Sequence, residues 1–404
     1  MHSAESRELV ARSRALMALL FLPGIVLASW VSRTPDIRDA LGASPAQMGL
    51  VLMGLSVGSM AGILASGRLT MRFGTRKVIA VAATPTALSV PVIAAGAGLA
   101  SPWLLAFGLG LSGLAMGGGE VALNVEGAEV EMIGARPFLP KLHAFFSLGA
   151  TTGASLGIAF THYRVPVPVH LACVAVLAFV LVPAAVRHIP PGVGVALPRP
   201  AGAGRERTLF KEAPLLLIGA VMLALALAEG SANDWLPLVM VDGHGFDPAI
   251  GSLSYAIFAA CMTVGRLFGG PLVARLGQRN VLLVSSLAGA LGLALVILVD
   301  NQVVAAAAVV AWGLGAALGF PVAVSAAGQS GPDSARRVSF VATIGYIAFL
   351  AGPPVLGLLG ELGGLRRALL PVMVLCLVAA ALTLVLRRYP ENSPHRRASL
   401  GNRS

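Results

Sequence analysis

The chain is short of charge. Asp, Glu, Lys and Arg together make up 12% of its 404 residues, against about 25% in a soluble domain, and mean hydropathy is +0.84. So few charges cannot cover a surface that faces water on every side. A soluble globular protein is excluded, and the chain reads as an integral membrane protein whose main partner is the lipid bilayer. Cysteine is scarce too. Cys173, Cys261 and Cys376 all fall within apolar runs, so no disulfide framework and no metal-ligand spacing is spelled out, and each reads as a small buried apolar residue. A GxxxxGK[ST] loop is lacking, as is any polar stretch long enough to fold into a nucleotide-binding domain. Nothing here spells out nucleotide-driven chemistry, and no cofactor is called for. Acidic residues number 18 against 29 basic ones, for a net charge of +11. The basic residues come as short clusters between apolar spans, not as a basic domain. That is the pattern of the positive-inside rule and argues against nucleic acid as a partner.

What the chain has in abundance is long apolar runs. A membrane-crossing helix needs about 20 mostly apolar residues. Twelve such segments can be marked, at roughly 15–40, 45–70, 77–99, 102–131, 139–161, 166–187, 212–241, 248–274, 279–299, 302–328, 337–362 and 367–388. Arg12 and Arg14 ahead of "ALMALLFLPGIVLAS" also fit the start of a signal peptide, but with so many spans behind it the segment is better read as a first spanning helix. Between the sixth and seventh spans lies "HIPPGVGVALPRPAGAGRERTLFK", whose Pro, Gly and Arg content marks a linker. The expected division is a six-helix half over 1–187, a cytoplasmic linker over 188–211, a second six-helix half over 212–388 and a tail over 389–404. With both termini in the cytoplasm, Arg33, Arg38, Arg164, Arg366 and Arg367 fall outside, and the other 24 of the 29 basic residues fall inside or at cytoplasmic helix ends. The reverse orientation would violate the basic-residue bias.

One internal repeat stands out. After the second span comes "GRLTMRFGTRK" and after the eighth "GPLVARLGQRN". Gly67, Leu69, Arg72, Gly74 and Arg76 match Gly270, Leu272, Arg275, Gly277 and Arg279, each pair 203 residues apart. The glycines permit tight turns and close helix approach. The arginines can anchor at the cytoplasmic surface and meet carboxylates or helix C-termini. Two six-helix halves that share this loop resemble the major facilitator superfamily, over the whole chain. The resemblance implies an all-α fold of 12 transmembrane helices, two halves around a midplane site, helices 1, 4, 7 and 10 lining that site, and a monomer in the bacterial inner membrane. The family's loop usually has an Asp before the first Arg. Met71 and Ala274 stand there instead, so Glu129 or Glu131 is the expected partner of Arg72 or Arg76.

Polar residues inside the spans carry the functional reading. "GGGEVALNVEG" puts Glu120 and Asn124 four residues apart, hence on one helix face. "EGSANDW" repeats that spacing with Glu229 and Asn233, followed by Asp234 and Trp235. An ionisable side chain at the bilayer centre costs about 2.5–3.5 kcal/mol on insertion scales. A carboxyl that is neutral when sealed from water and charged when wetted can carry a proton. The alternative is a group that only bonds a neighbouring helix. Aligning the fourth and tenth spans matches Gly113, Leu114 and Gly119 with Gly313, Leu314 and Gly319, and sets Glu120 opposite Phe320. The small-residue scaffold repeats but the carboxylate does not, which favours a coupling role for Glu120.

That Glu–Asn pair, with "HAFFSLGATTG" after it, resembles the proton–sugar symporters related to fucose permease. "SWVSRTP", "GTRKVI", "EGSANDWLPL" and "DGHGF" are similar to bacterial inner-membrane transporters on that branch. Where fucose permease has an Asp on helix 1, this chain offers Ser29, Trp30 and Ser32. Trp30, Trp235 and Trp312 are candidate stacking surfaces for a substrate, whereas Trp103 suits an interfacial belt. His143 is a hydrogen-bonding or relay group, or a packing histidine. Arg33 attracts anions at the outer mouth or pairs with Asp36 or Asp242. Tyr255 and Tyr346 are further cavity donors. Gly149, Gly153 and Gly157 at four-residue spacing predict close helix packing. The fifth span lacks the Gly-Pro pair common in drug antiporters, which weighs against drug export.

The expected function is a secondary transporter, not an enzyme, for a small polar solute such as a sugar or sugar derivative, by proton symport. Glu120 would take the proton. Asn124, Glu229, Asn233, Trp235, Trp30, Trp312 and His143 would bind the solute. The alternatives are an exporter of drugs or metabolites on the same fold and a non-transporting membrane sensor. A sensor would be expected to bring a signalling domain, which "RRYPENSPHRRASLGNRS" is too short to form.

Overall fold

In hydrocarbon every backbone N–H and C=O must be bonded within its own segment, which leaves helices as the economical solution for a single chain. The computed structural model describes residues 2–134, 138–195, 209, 212–331 and 334–386. Among them the structure is helical, without strands. The helices are α1 (His2–Val31), α2 (Thr34–Leu41), α3 (Pro45–Phe73), α4 (Thr75–Gly98), α5 (Pro102–Gly134), α6 (Leu139–His162), α7 (Val167–Val186), α8 (Ala213–Leu238), α9 (Pro248–Leu298), α10 (Gln302–Ala317), α11 (Gly319–Gln329), α12 (Ser334–Gly363), α13 (Leu365–Ala368) and α14 (Leu370–Val385). A five-residue π turn, Val239–Gly243, extends α8. The tail from 389 and most of the linker lie outside the described residues.

Among the described residues, eleven segments are long and apolar enough to cross a membrane. The longest, α9, is two helices joined at Gly277, whose φ of 77° and ψ of 155° are not helical. Gly74, the partner of Gly277 in the sequence repeat, joins α3 to α4 with φ 82° and ψ 161°. A side chain is strained in that backbone region. The repeat therefore survives as one backbone turn used twice.

Helices α1 to α7 pack mainly among themselves, α8 to α14 do likewise, and α3–α12 and α6–α9 are the main bridges between these two bundles. Small residues set the spacing, as expected of the α6 glycines. A Cβ on Gly149 would overlap Phe21 O, one on Gly153 would lie 2.5 Å from Ile25 O, and one on Gly157 would overlap Ser32 Oγ. α3 and α5 meet the same way through Gly58, Gly62, Gly113 and Gly117. Gly67 and Gly270 do not behave so: a Cβ on either meets nothing within 4 Å. The close approach expected of those two glycines is absent in this conformation.

One face of the molecule, the terminal face, carries the start of α1, the α3–α4 turn and the end of α14. There Arg12 in α1 donates from Nε to Glu126 Oε1 at 2.7 Å, and Thr75 Oγ1 donates to Glu126 Oε2 at 2.5 Å. Glu126 is fully buried, so this pair locks α1 and α4 to α5. Thr75 N donates to Val193 O at 2.8 Å, seating the first linker residues over the α3–α4 turn. In the second bundle Arg279 donates to Thr383 O at 2.8 Å and Leu384 O at 2.6 Å, a cation on the last carbonyls of α14.

These bonds correct the expected latch. Glu131 Oε2 accepts from Phe138 N at 2.8 Å. Arg72 lies over the Phe73 ring at 5.2 Å. The buried carboxylate at this surface is Glu126, and its cation is Arg12.

Candidate functional site: a cavity between the two bundles

A cavity of about 1270 Å³ lies between the bundles. It runs from Lys141 and Gln278 near the terminal face to Leu27, Ser56, Asp234, Tyr255 and Phe349 at its inner end. There it stops, because the bundles meet. Ser56 Oγ donates to Phe349 O at 2.6 Å. Beyond, toward the opposite face, Ser252 Oγ donates to Ser32 O at 2.5 Å and Ala46 N to Glu361 Oε2 at 3.3 Å. Arg38 on α2 forms an ion pair with Asp242 in the π turn. Among the described residues, the polar bonds that join the bundles lie at or beyond this closed end.

α5 supplies Glu120 and Asn124 to the cavity, and α8 supplies Glu229, Asn233 and Asp234. The four-residue spacing does place each Glu–Asn pair on one face. Asn124 Oδ1 is bonded to His143 Nε2 of α6 at 2.9 Å. Glu229 Oε1 accepts from Arg266 Nη2 of α9 at 2.8 Å, and Arg266 Nε reaches Ala317 O at 3.4 Å. Asn233 Oδ1 accepts from Tyr255 Oη at 3.3 Å. Phe320, Tyr346 and Phe349 form an aromatic wall, with successive ring centroids 5.9 and 6.5 Å apart. Glu120 and Phe320, aligned across the repeat, both line the cavity. Among the described residues Glu120 has no hydrogen bond or ion pair. Its electrostatic neighbours are Arg266 and Glu229.

The tryptophans are a correction. Trp30, Trp235 and Trp312 are at most 2% exposed, and none lines the cavity. Trp312 fills the seam between α8, α9 and α10, with its Nε1 on Ala228 O at 3.0 Å and its ring edge-on to Phe258. Large rings pack best in the tightest seams, and here those seams lie behind the site. Trp103 is exposed on the outer wall of α5, as suits a belt position. Arg33 pairs with Asp36 at 2.5 Å and donates to Val165 O at 2.8 Å. Of the two expected partners it takes Asp36, while Asp242 pairs with Arg38.

Sequence reasoning missed Arg266. It was grouped with the basic residues at the cytoplasmic helix ends, yet it lines the cavity and neutralises Glu229. Its signal was present: an arginine one helical turn ahead of Gly270, inside an apolar window. Lys141 at the cavity mouth was missed as well.

A helical membrane protein with a deep cavity between two bundles, mostly apolar in its lining but holding a few charged and amide side chains, reached from one face and sealed at the other, is built as a carrier. Comparison with known proteins agrees. The model of the Major Facilitator Superfamily matches residues 15–332 and 235–404. An uncharacterised MFS-type transporter of Yersinia pestis is 31% identical over 362 residues, covering 89% of this chain and 92% of that protein. An uncharacterised transporter of Sinorhizobium fredii, y4wD, is 31% identical over 393 residues, covering 95% and 100%. Among solved structures, a mutant of the nucleoside transporter NupG superposes with a TM-score of 0.75 at 16% identity, covering 93% of this chain and 99% of that one. A bacterial homolog of the human lysosomal transporter Spinster, inward-facing and unoccupied, gives 0.72 at 14%, covering 95% and 98%. The chain belongs to the major facilitator superfamily and is a secondary transporter, not an enzyme.

Proposed function

We propose that this transporter moves a small polar solute by proton symport, with Glu120 as the proton site. The proposal includes twelve spans in two halves, 1–187 and 212–388, joined by a linker over 188–211, working as a monomer in the bacterial inner membrane. Both termini are cytoplasmic on this reading, so the terminal face is the inner one and the conformation described is open inward. The Spinster homolog, itself inward-facing, has a similar fold. Placement on the fucose-permease-like branch rests on the Glu120–Asn124 pattern of α5.

One observation carries the proton assignment. Glu120 faces the cavity with no ion pair or hydrogen bond among the described residues, while the neighbouring carboxylate Glu229 is already satisfied by Arg266. A carboxyl without a fixed counter-charge can change protonation as water comes and goes. A satisfied one holds its charge and is suited to contact hydroxyl groups of a solute. Asn124, Asn233 and His143 supply further donors and acceptors around it.

The test uses proteoliposomes and a solute found by thermal-shift screening. Glu120→Gln should keep solute binding and downhill exchange, yet lose accumulation driven by a pH gradient. A one-unit gradient is worth about 1.36 kcal/mol, hence about tenfold accumulation in the wild type. Glu229→Gln should weaken binding instead. Normal pH-driven accumulation by Glu120→Gln would return Glu120 to a packing or solute-binding role. Acidification on the side from which solute is added would indicate exchange rather than symport.

A further inference from the structure

Asp234 is the residue of α8 that reaches furthest into the closed end of the cavity. It is 8% exposed, and among the described residues it has neither an ion pair nor a hydrogen bond. An unpaired carboxylate at that depth is expensive, and nearby groups do not offset it. The Tyr255 hydroxyl is already donated to Asn233 Oδ1. Arg266 is committed to Glu229. Lys141 stands at the other end, at the mouth. The inner part of the cavity thus presents Glu120, Glu229 and Asp234 against one guanidinium that is already paired.

An aromatic ring stands beside the same carboxylate. A Cβ on Gly230, one helical turn before Asp234, would lie 2.9 Å from Phe349 Cδ1, so the Phe349 ring packs on the α8 face that carries both residues. Tyr346 and Phe320 continue the wall. Aromatic faces attract cations, most strongly where water is excluded. A neutral polyol would offer hydrogen bonds here but no counter-charge, and Asp234 could then stay only as the neutral acid; a cationic solute lets it ionise as half of a pair, the one form in which a buried charge is tolerated.

We propose that the transported solute carries a protonated amine, and that Asp234 binds it at the closed end while the rest of the molecule contacts Glu229, Asn233 and Asn124. The assignment deepens the transporter reading and rests on it. A bare sodium ion shares the charge but demands a shell of oxygen ligands, of which this end supplies few.

The experiment is a thermal-shift panel on the purified full-length protein in nanodiscs. The probes are glucosamine, galactosamine, mannosamine and ethanolamine, each beside its N-acetyl counterpart. The expected result is stabilisation by one or more free amines that the N-acetyl forms do not give. Asp234→Asn should weaken it about tenfold or more, the order expected when a buried charge pair loses one partner, and Asp234→Glu should retain part of it. Equal stabilisation by acetylated forms, no amine-selective shift across the panel, or amine binding unchanged in Asp234→Asn would each overturn the proposal. So would a shift that appears with sodium chloride and not with potassium chloride, which would assign Asp234 to sodium. The amine–acetyl comparison is made on the wild-type chain, so it stands even if a variant fails to fold. Gradient-driven uptake of a neutral solute, unaffected by Asp234→Asn, would refute the amine and leave the transporter reading intact. Absence of any solute flux in proteoliposomes would undo both.

Discussion

Changing Arg266 to Met should be more damaging than changing Arg266 and Glu229 together. The two side chains meet at 2.8 Å and are 30% and 15% exposed. At that separation the gross attraction is about 6 kcal/mol at an effective dielectric of 20, and about 1.5 kcal/mol in bulk water. The cavity wets one side of the pair, so the operative value lies between. Desolvation of both ions consumes much of it. Removing one partner leaves the other charge partly buried and alone, which costs about 3–5 kcal/mol in a dry interior and about 2 kcal/mol with partial hydration. Removing both charges takes away attraction and desolvation cost together. Arg266→Met and Glu229→Gln should each lower the apparent melting temperature in nanodiscs by several degrees. The double variant should melt closer to wild type than either, a coupling energy of about 2 kcal/mol. Strictly additive losses would refute the idea that each charge depends on the other, and Arg266 would have to be held by Ala317 O and packing alone.

Two more expectations follow from the packing and the closed end. Gly153→Leu should force α1 and α6 apart and lower stability by about 1–3 kcal/mol, whereas Gly67→Ala, with open space around it, should match or exceed wild-type stability through about 1 kcal/mol of helix propensity; thermal melts of the two variants would decide, and equal losses would refute the distinction. Arg38→Ala should weaken the seal between α2 and the π turn by about 1 kcal/mol, the upper end for a partly exposed pair, and so populate the conformation open at the opposite face about fivefold more; electron-spin distance measurements between labels on α2 and the π turn would show a longer component, and an unchanged distribution would exclude Arg38 from the seal.

The architecture was legible because spanning a membrane leaves so few options. Apolar windows of about 20 residues must be helices, and glycines at four-residue spacing on α6 forecast a contact that the structure contains. Gly74 and Gly277 were legible as a pair because a positive-φ turn tolerates little else. The cavity face was half legible. Glu120, Asn124, Glu229 and Asn233 stood out as polar residues in apolar surroundings, and all four line one space. Arg266 was hidden by its neighbourhood, since an arginine close to a basic loop looks like part of the loop. The tryptophans misled for the opposite reason. Their chemistry suits a binding site, but their volume suits a helix seam, and a linear sequence does not say which demand wins. Glu126 was overlooked beside Glu120 and Asn124, although it is the carboxylate that binds α1 to α5.

The closed end also has an electrical consequence. A voltage across the membrane falls where there is no water, and the cavity that opens on the terminal face stops at the buried Asp234. From Asp234 to Asp242 is eight residues of helix, about 12 Å at 1.5 Å each, compared with about 30 Å for the hydrocarbon core. The same potential is thus squeezed into less than half the distance, and the field across the plug is about two and a half times that in the surrounding lipid. A charge entering the cavity does little electrical work. Nearly all of the roughly 2.3 kcal/mol per charge and 100 mV is exchanged when the plug around Ser32, Arg38, Asp242 and Ser252 opens. Membrane voltage would therefore act on the gate and hardly at all on how tightly the solute is held.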